Sequence, residues 1–532
     1  MSENPEEGGL EPGATEQLQP ELVFGLVAPI GVHLDDTQTA LIEALRSVGY
    51  SSETIHVSRY FESQLTAMGL SFSCEHPSNS YDYKIAQANY LRQQSGKNDI
   101  VAAIAVNKIR ESRKRYNETR LKPDLTAQYR TPRSQHAYII RQIKRKEEID
   151  LLRAVYSRNF IQISVSIDSD SQRKSLENRL RGETPGDTND VIRHHAQRLI
   201  EVDKNEAADD YGQRFSDVFQ YGDAFLAARG IEEVRLETKR FIHALFGNNH
   251  ISPTKDEQAA YLARGASLRS VDLSRQVGAA ITTRDGEIVS LGCNEVPSPG
   301  GGNYWGTDAH KARDIDQRYE PNKVETSRIV FDLLKVLENG HFIKNSAEEV
   351  SSNPNFRKLL RTARISDITE FGRMTHAEMS ALAEAARLGR SVQDCTIHVT
   401  TYPCHNCAKH LIAAGIERIV FIEPYPKSMA YEFHSDALST SSMRSGKVAL
   451  EHFTGISPQR YRDIFQKGKR RDADGQIRDW YEDDPRPRTK LYTAAYVYLE
   501  SIFISSRLGL DGVRRSDDST PSDTEETGKS GD

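Results

Sequence analysis

Residues 375–422 read THAEMSALAEAARLGRSVQDCTIHVTTYPCHNCAKHLIAAGIERIVFI, the most regular pattern in the chain. Thr375 to Leu388 carries apolar residues at helical spacing and is closed by Gly389. Cys395 to Thr401 reads as a strand, Cys404 to Ala414 as a second helix closed by Gly415, and Glu417 to Ile422 as a second strand. Glycine just past the last periodic residue is a helix stop, because it takes the left-handed conformation without a Cβ penalty. Helix and strand therefore alternate with short links, which is the pattern of an α/β layered domain.

Both helices open on residues that can do chemistry: Thr375-His376-Ala377-Glu378 and Tyr402-Pro403-Cys404-His405-Asn406-Cys407. Cys404 and Cys407 stand at i and i+3, neighbours on one turn, and a helix N-terminus favours the thiolates that a metal requires. His376 supplies a third ligand, which leaves the fourth tetrahedral position of a Zn2+ ion for water. Such an ion brings the pKa of its water near 7, and Glu378, on the same first turn as His376, is placed to take and return a proton. Bland readings fit the same residues. Thr375-x-x-Glu378 is also a capping box, and a lone C-x-x-C is also a redox pair or two core cysteines.

The conjunction narrows the choice, since H-x-E followed after one strand by P-C-x-x-C is the zinc-deaminase signature. Residues from about Thr254 to Ser457 resemble the deoxycytidylate (dCMP) deaminase branch of the cytidine-deaminase-like α/β/α fold. Ser274-Arg275-Gln276-Val277-Gly278-Ala279-Ala280 resembles that family's first strand, Gly292-Cys293-Asn294-Glu295-Val296-Pro297 its sugar-contacting loop, and Ala413-Ala414-Gly415-Ile416 the end of its second motif helix. The resemblance implies that His376, Cys404 and Cys407 bind zinc, that Glu378 is catalytic, that Asn294 contacts deoxyribose and that Tyr402 packs on the base. Asn294 also reads as a turn residue beside proline, and Tyr402 as a strand-end core aromatic. The segment Pro299 to Arg373 is longer than a minimal domain of that family needs; its Asp308, His310, Arg313 and Asp314 read either as phosphate or second-ion contacts or as solvated charges. Cys293 and Cys395 read as small buried residues.

Upstream, Leu22 to Ile30 reads as a strand, with Gly31 and a helix through Leu41, Leu45 and Val48 behind it. Ile55 to Val57, Asp99 to Val106 and Phe160 to Ile167 read as further strands of an α/β domain. Gly25 and Gly31 stand where backbone N–H groups cradle phosphate between a strand and a helix. A P-loop needs G-x-x-x-x-G-K-[ST], and here Ala28, His33, Leu34 and Asp35 occupy its two glycines, its lysine and its hydroxyl. Gly25 and Gly31 therefore mark either a degenerate nucleotide-binding loop or a purely structural turn.

A P-loop-kinase-like domain ahead of a dCMP deaminase domain resembles the bacterial anti-phage cytidylate deaminases, with His136-Ala137-Tyr138-Ile139-Ile140-Arg141 and Arg198-Leu199-Ile200-Glu201 as further landmarks. The implied organisation is an acidic disordered tail over 1–20, a P-loop-kinase-like domain over 21–250, a zinc-dependent deoxycytidylate deaminase domain with its C-terminal extension over 251–508 and a second acidic tail over 509–532. The resemblance implies hydrolytic deamination of dCTP and dCMP to dUTP and dUMP, depletion of dCTP in antiviral defence, and restraint by an inhibitory small RNA. A homo-oligomer is expected. The Arg-rich segment Lys108 to Lys146, interleaved with Tyr116, Tyr129 and Tyr138, reads either as an RNA or phosphate surface or as a solvated helical face.

Composition agrees with a small-molecule enzyme of the cytoplasm. The 532 residues hold 70 Lys plus Arg against 76 Asp plus Glu, a net charge of -6, so no global field attracts polyanions. Mean hydropathy is -0.61, no apolar run approaches the roughly 20 residues of a membrane span, and the acidic start lacks a signal-peptide pattern. Five cysteines form no disulfide framework. The alternatives are a polynucleotide cytosine or adenine deaminase, which needs a basic groove with aromatic platforms, and a non-enzymatic zinc-containing nucleic-acid sensor.

Overall fold

The computed structural model describes residues 19–74, 79–121, 125–204, 206, 209–361, 363–425, 427–440, 446–468, 470–477, 485–488 and 495–509. The expected tails, apart from Gln19, Pro20 and Gly509, lie outside these. Twelve strands occur among the described residues: β1 (Leu22–Val27), β2 (Ser51–His56), β3 (His136–Arg141), β4 (Phe160–Ser166), β5 (Ala224–Ala227), β6 (Gly278–Thr282), β7 (Ile288–Cys293), β8 (Thr396–Thr401), β9 (Arg418–Glu423), β10 (Leu438–Ser439), β11 (Val448–His452) and β12 (Gly455–Ile456). The chain divides into two compact units, one of Met1–Phe24, Ser52–Phe160 and Thr489–Asp532, the other of Gly25–Ser51 and Ile161–Arg488. Among the described residues no helix is long and apolar enough to cross a membrane.

In the first unit β3 lies between β2 and the start of β1. The expected strand over Asp99 to Val106 is instead the first turns of a helix, Ile100–Glu118. Ile100 to Val106 are all buried, and a run buried on every side carries no period to tell strand from helix. That helix holds Arg113, fully buried, forked between Glu500 of helix Tyr496–Leu508 (2.6 Å) and Glu21 (2.8 Å). The tyrosines donate to the same carboxylates, Tyr156 to Glu500 and Tyr496 to Glu21, each at 2.9 Å. Much of the basic segment Lys108 to Lys146 is thus spent internally: Arg113 is buried, Lys108 pairs with Glu111, Arg133 with Glu53 and Arg145 with Glu147.

The second unit contains two sheet regions. In one, β4 lies between the end of β1 and β5, β4 and β5 are parallel, and β12 adds antiparallel to β5 through Gly455↔Phe225. Helices Leu34–Ser47 and Ile231–Leu245 pack on each other beside it. The other sheet has the order β10-β11-β9-β8-β6-β7, parallel from β10 to β8 and antiparallel through β6 and β7. β6 and β7 form a hairpin that turns at Arg284-Asp285-Gly286, where Gly286 takes φ +90°. Its core joins Ile281, Ile397, Val399, Ile419 and Phe421 of the strands to Ala381, Ala385 and Leu411 of the helices.

Two glycines let helices close on both faces of this sheet. Gly278 pairs with Cys293, so Gly292, one residue along, points to the opposite face. A Cβ on Gly278 would stand 2.0 Å from the Ala263 carbonyl oxygen of helix Lys255–Ser267, and one on Gly292 2.1 Å from that of Ala377. Bare backbone at these points makes an α/β/α sandwich.

Candidate active site

The helix Ala377–Arg387 begins one residue later than a Thr375 cap requires: His376 is its N-cap, in extended conformation, and no side chain caps it. The Thr375–Glu378 capping box is therefore not formed. Thr375 is held outside the helix by two backbone bonds with Glu295, 3.1 and 3.3 Å, which carry the chain out of the loop after β7 and aim His376. Ser290 Oγ donates to the Ala381 carbonyl at 2.8 Å and ties the same helix to β7.

The second helix, His405–Ala413, has Cys404 as its N-cap, and the Cys407 N–H donates to the Cys404 sulfur at 3.4 Å. Ser428 Oγ donates to the Pro403 carbonyl at 2.8 Å and fixes the turn before it. β8, which leads into this turn, lies in the same sheet as β7, so two helix starts face one another over the strand ends.

His376 Nδ1 lies 3.4 Å from the sulfur of Cys404 and 3.4 Å from that of Cys407, and the three donor atoms all lie within 4.8 Å of one another. An ion bound tetrahedrally at usual zinc–sulfur and zinc–nitrogen lengths separates such donors by about 3.5 Å. One imidazole and two thiols at that spacing, with a side left open, fit a catalytic zinc. The metal-free donors compete for protons. Hydrogen bonding to Cys404 holds the His376 imidazole up at about 9. The bond from Cys407, then that with His376, holds the Cys404 thiol down at about 4. Cys407 is driven far above the ordinary thiol range by its bond to Cys404 and by burial.

Glu378 is 4% exposed, two residues on from His376, on the same cavity wall. Burial, then the charge of Cys404, pushes its carboxyl up to about 7. The cavity has a volume of about 490 Å³ and is lined by His376, Glu378, Cys404, Asn294, Tyr402 and Thr401, among others. Cys407 lies behind this wall, 1% exposed.

The expected substrate contacts Asn294 and Tyr402 both line the cavity. Asn294 accepts from the Val277 N–H at 2.8 Å and donates to the Arg275 carbonyl at 2.8 Å, so its amide also straps the entry to β6. Tyr402 is half-buried, edge-on to Phe421 at 4.7 Å and 78°. Each side chain is thus engaged by the fold as well as standing in the cavity wall. Cys293 and Cys395 are buried, 3% and 4% exposed.

The long segment from Pro299 to Arg373 reaches the cavity by residues that belong to no motif: Asn322 and Lys323 on the first turn of helix Pro321–Asn339, and Thr369. Three of the charges singled out there are engaged by neighbouring residues. Arg313 forks onto Asp316 at 2.8 and 3.0 Å, Asp314 lines the cavity but pairs with Arg373 at 2.9 Å, and Asp308 accepts from the Trp305 N–H. The one signal for Asn322 and Lys323 is Pro321 at the start of a helix, which locates the turn and says nothing of what it faces.

Gly25 and Gly31 lie away from these residues. Gly25 is inside β1, and Gly31 turns at φ +92° with its would-be Cβ 3.0 Å from the Gln172 carbonyl oxygen. The neighbouring Ile30 N–H, a donor that a phosphate cradle would use, is taken by Asp203 Oδ2 at 2.8 Å. A carboxylate of the chain itself stands in the anion's place.

A family model described as the cytidine and deoxycytidylate deaminase zinc-binding region matches residues 253–423. The deoxycytidylate deaminase of Enterobacteria phage T4 is 33% identical over 173 residues, which is 32% of this chain and 77% of that protein. That of Enterobacteria phage T2 is 32% identical over 181 residues, 32% of this chain and 79% of that protein. The solved dCMP deaminase of cyanophage S-TIM5, in complex with dCMP and dUMP, is 18% identical, covers 38% of this chain and all of its own, and has a TM-score of 0.22.

Proposed function

The chain belongs to the deoxycytidylate deaminase family, and from that membership we propose that it hydrolyses deoxycytidine nucleotides, dCMP and dCTP, to the deoxyuridine nucleotides and ammonia. The observation that carries this reading is the convergence of His376, Cys404, Cys407 and Glu378 on one cavity that also holds Asn294 and Tyr402.

His376, Cys404 and Cys407 would hold the zinc, which supplies an activated water and polarisation at the reacting carbon. Glu378 binds no metal in this scheme. It takes a proton from the incoming water, delivers it to N3 of cytosine and then carries one to the departing amino nitrogen, so that ammonia leaves. The wall around Tyr402 excludes water from the base, and Asn294, already fixed by Val277 and Arg275, presents its amide to the sugar.

The finer parts of the reading rest on the whole-chain resemblance: a P-loop-kinase-like first domain, depletion of dCTP in anti-phage defence, an inhibitory small RNA, a homo-oligomer and a cytoplasmic setting. The net charge of -6 favours a free nucleotide over a polynucleotide, since a small ligand needs only a local pocket. The test is ammonia release by the full chain from dCMP, dCTP and a cytosine-rich single-stranded DNA. The reading expects turnover of a free nucleotide and none of the oligonucleotide; the reverse would move the chain to the polynucleotide class.

A further inference from the structure

A second cavity, of about 450 Å³, opens in the second unit at the carboxyl ends of β1, β4 and β5. Pro29 follows β1, Ile167 to Asp170 follow β4, and Ala228 and Arg229 follow β5. Ligands of open α/β sheets bind outside the carboxyl ends of the strands, and a volume of this order holds a small molecule. Part of its wall is aromatic. Phe219, Phe421, Tyr431 and His452 line it, and the His452 ring lies against Phe421 at 4.2 Å and Phe219 at 5.1 Å. His452 Nδ1 is buried without a hydrogen-bond partner.

The lining disfavours a phosphate. It carries five carboxylates, Asp168, Asp170, Asp203, Glu432 and Glu451, against Lys204 and Arg229. Asp203, one of them, already accepts from the Ile30 N–H in the turn after β1. A half-buried imidazole whose Nδ1 has no partner, set beside flat apolar rings, instead suits a planar ring that has its own hydrogen-bonding atoms.

We propose that this cavity is a second ligand site, for a planar nitrogenous base or nucleoside that carries no phosphate. The ring stacks among Phe219, Phe421 and Tyr431, a ring heteroatom pairs with His452 Nδ1, and the carboxylates at the rim accept from amino or hydroxyl groups. The site is coupled to the zinc cavity by a shared wall. Tyr402 and Tyr425 line both cavities, and Tyr402 packs edge-on against Phe421, which carries His452 on its other contact. A ligand that shifts Phe421 shifts Tyr402, so each site changes the affinity of the other by the same factor.

Calorimetric titration of the full chain with adenosine, uridine and their 5′-monophosphates tests the site without relying on turnover, so its failure is distinct from failure of the deaminase reading. At least one nucleoside is expected to bind with Kd below about 1 mM and its monophosphate at least tenfold more weakly. Tyr431→Ala, which opens a wall of the second cavity alone, and Ala228→Trp, which fills it, are each expected to weaken binding tenfold with zinc content unchanged. Saturating nucleoside is expected to change KM for dCMP at least twofold. No binding of either nucleoside, equal binding of the monophosphates, or wild-type binding by both variants overturns the site; an unchanged KM overturns the coupling.

Discussion

Gly292 and Ala377 meet backbone to backbone: a Cβ on Gly292 would stand 2.1 Å from the Ala377 carbonyl oxygen and 2.5 Å from the Ala381 nitrogen. The strand β7 is thereby seated against the turn that presents His376 and Glu378. Neither contact atom has a side-chain end that can swing away, so Gly292→Ala must push the helix off the sheet. The variant is expected to lose more than half of its zinc by elemental analysis. Ser290→Ala, which removes one bond to Ala381, is expected to keep it.

Asn294 spends one acceptor and one donor on Val277 and Arg275 while lining the zinc cavity. Asn294→Ala should leave zinc content unchanged and raise KM for dCMP about fivefold or more, the worth of roughly 1 kcal/mol for one hydrogen bond to substrate or to the strand entry. Steady-state kinetics at matched zinc content check this.

Arg113 is the sole cation bonded to Glu21 and Glu500 among the salt bridges found for them in the described residues. Arg113→Met leaves both carboxylates buried without it, and breaking a buried pair in this way costs about 3–5 kcal/mol. Amide hydrogen exchange in the helix Tyr496–Leu508 should then speed up roughly a hundredfold or more; unchanged protection there would show that the helix is held by its apolar contacts.

His136 is 2% exposed, and burial, then Arg133 and Arg113, brings its imidazole down to about 3. Below the unfolded value near 6.5 the unfolded chain takes up a proton that the folded one refuses. Stability is therefore complete above about pH 6.5 and falls as pH drops toward 3, by about 1.4 kcal/mol per pH unit for this one group. His136→Phe should flatten that slope in thermal melts between pH 6.5 and 4.5.

The chemistry was more legible than the scaffold. His376, Glu378, Cys404 and Cys407 declare themselves because a tetrahedral ion needs its ligands at fixed spacing on helix starts, and the structure brings the three donors together. Ile100 to Val106 misled because burial on every side erases periodicity. Thr375 misled because a capping box and a zinc motif share the same letters, and only the bridge to Glu295 decides between them. Asn322 and Lys323 were invisible because what brings them to the cavity is tertiary packing, more than fifty residues of chain from His376.

The most direct test of the account pairs zinc content with turnover of dCMP and dCTP in the wild type, Cys404→Ala and Glu378→Ala. The wild type is expected to hold about one zinc per chain and to deaminate, Cys404→Ala to lose both, and Glu378→Ala to keep full zinc with activity lowered at least a hundredfold, since general acid–base catalysis contributes about 10²–10⁴. Near wild-type turnover by Glu378→Ala, or full zinc in Cys404→Ala, would contradict it.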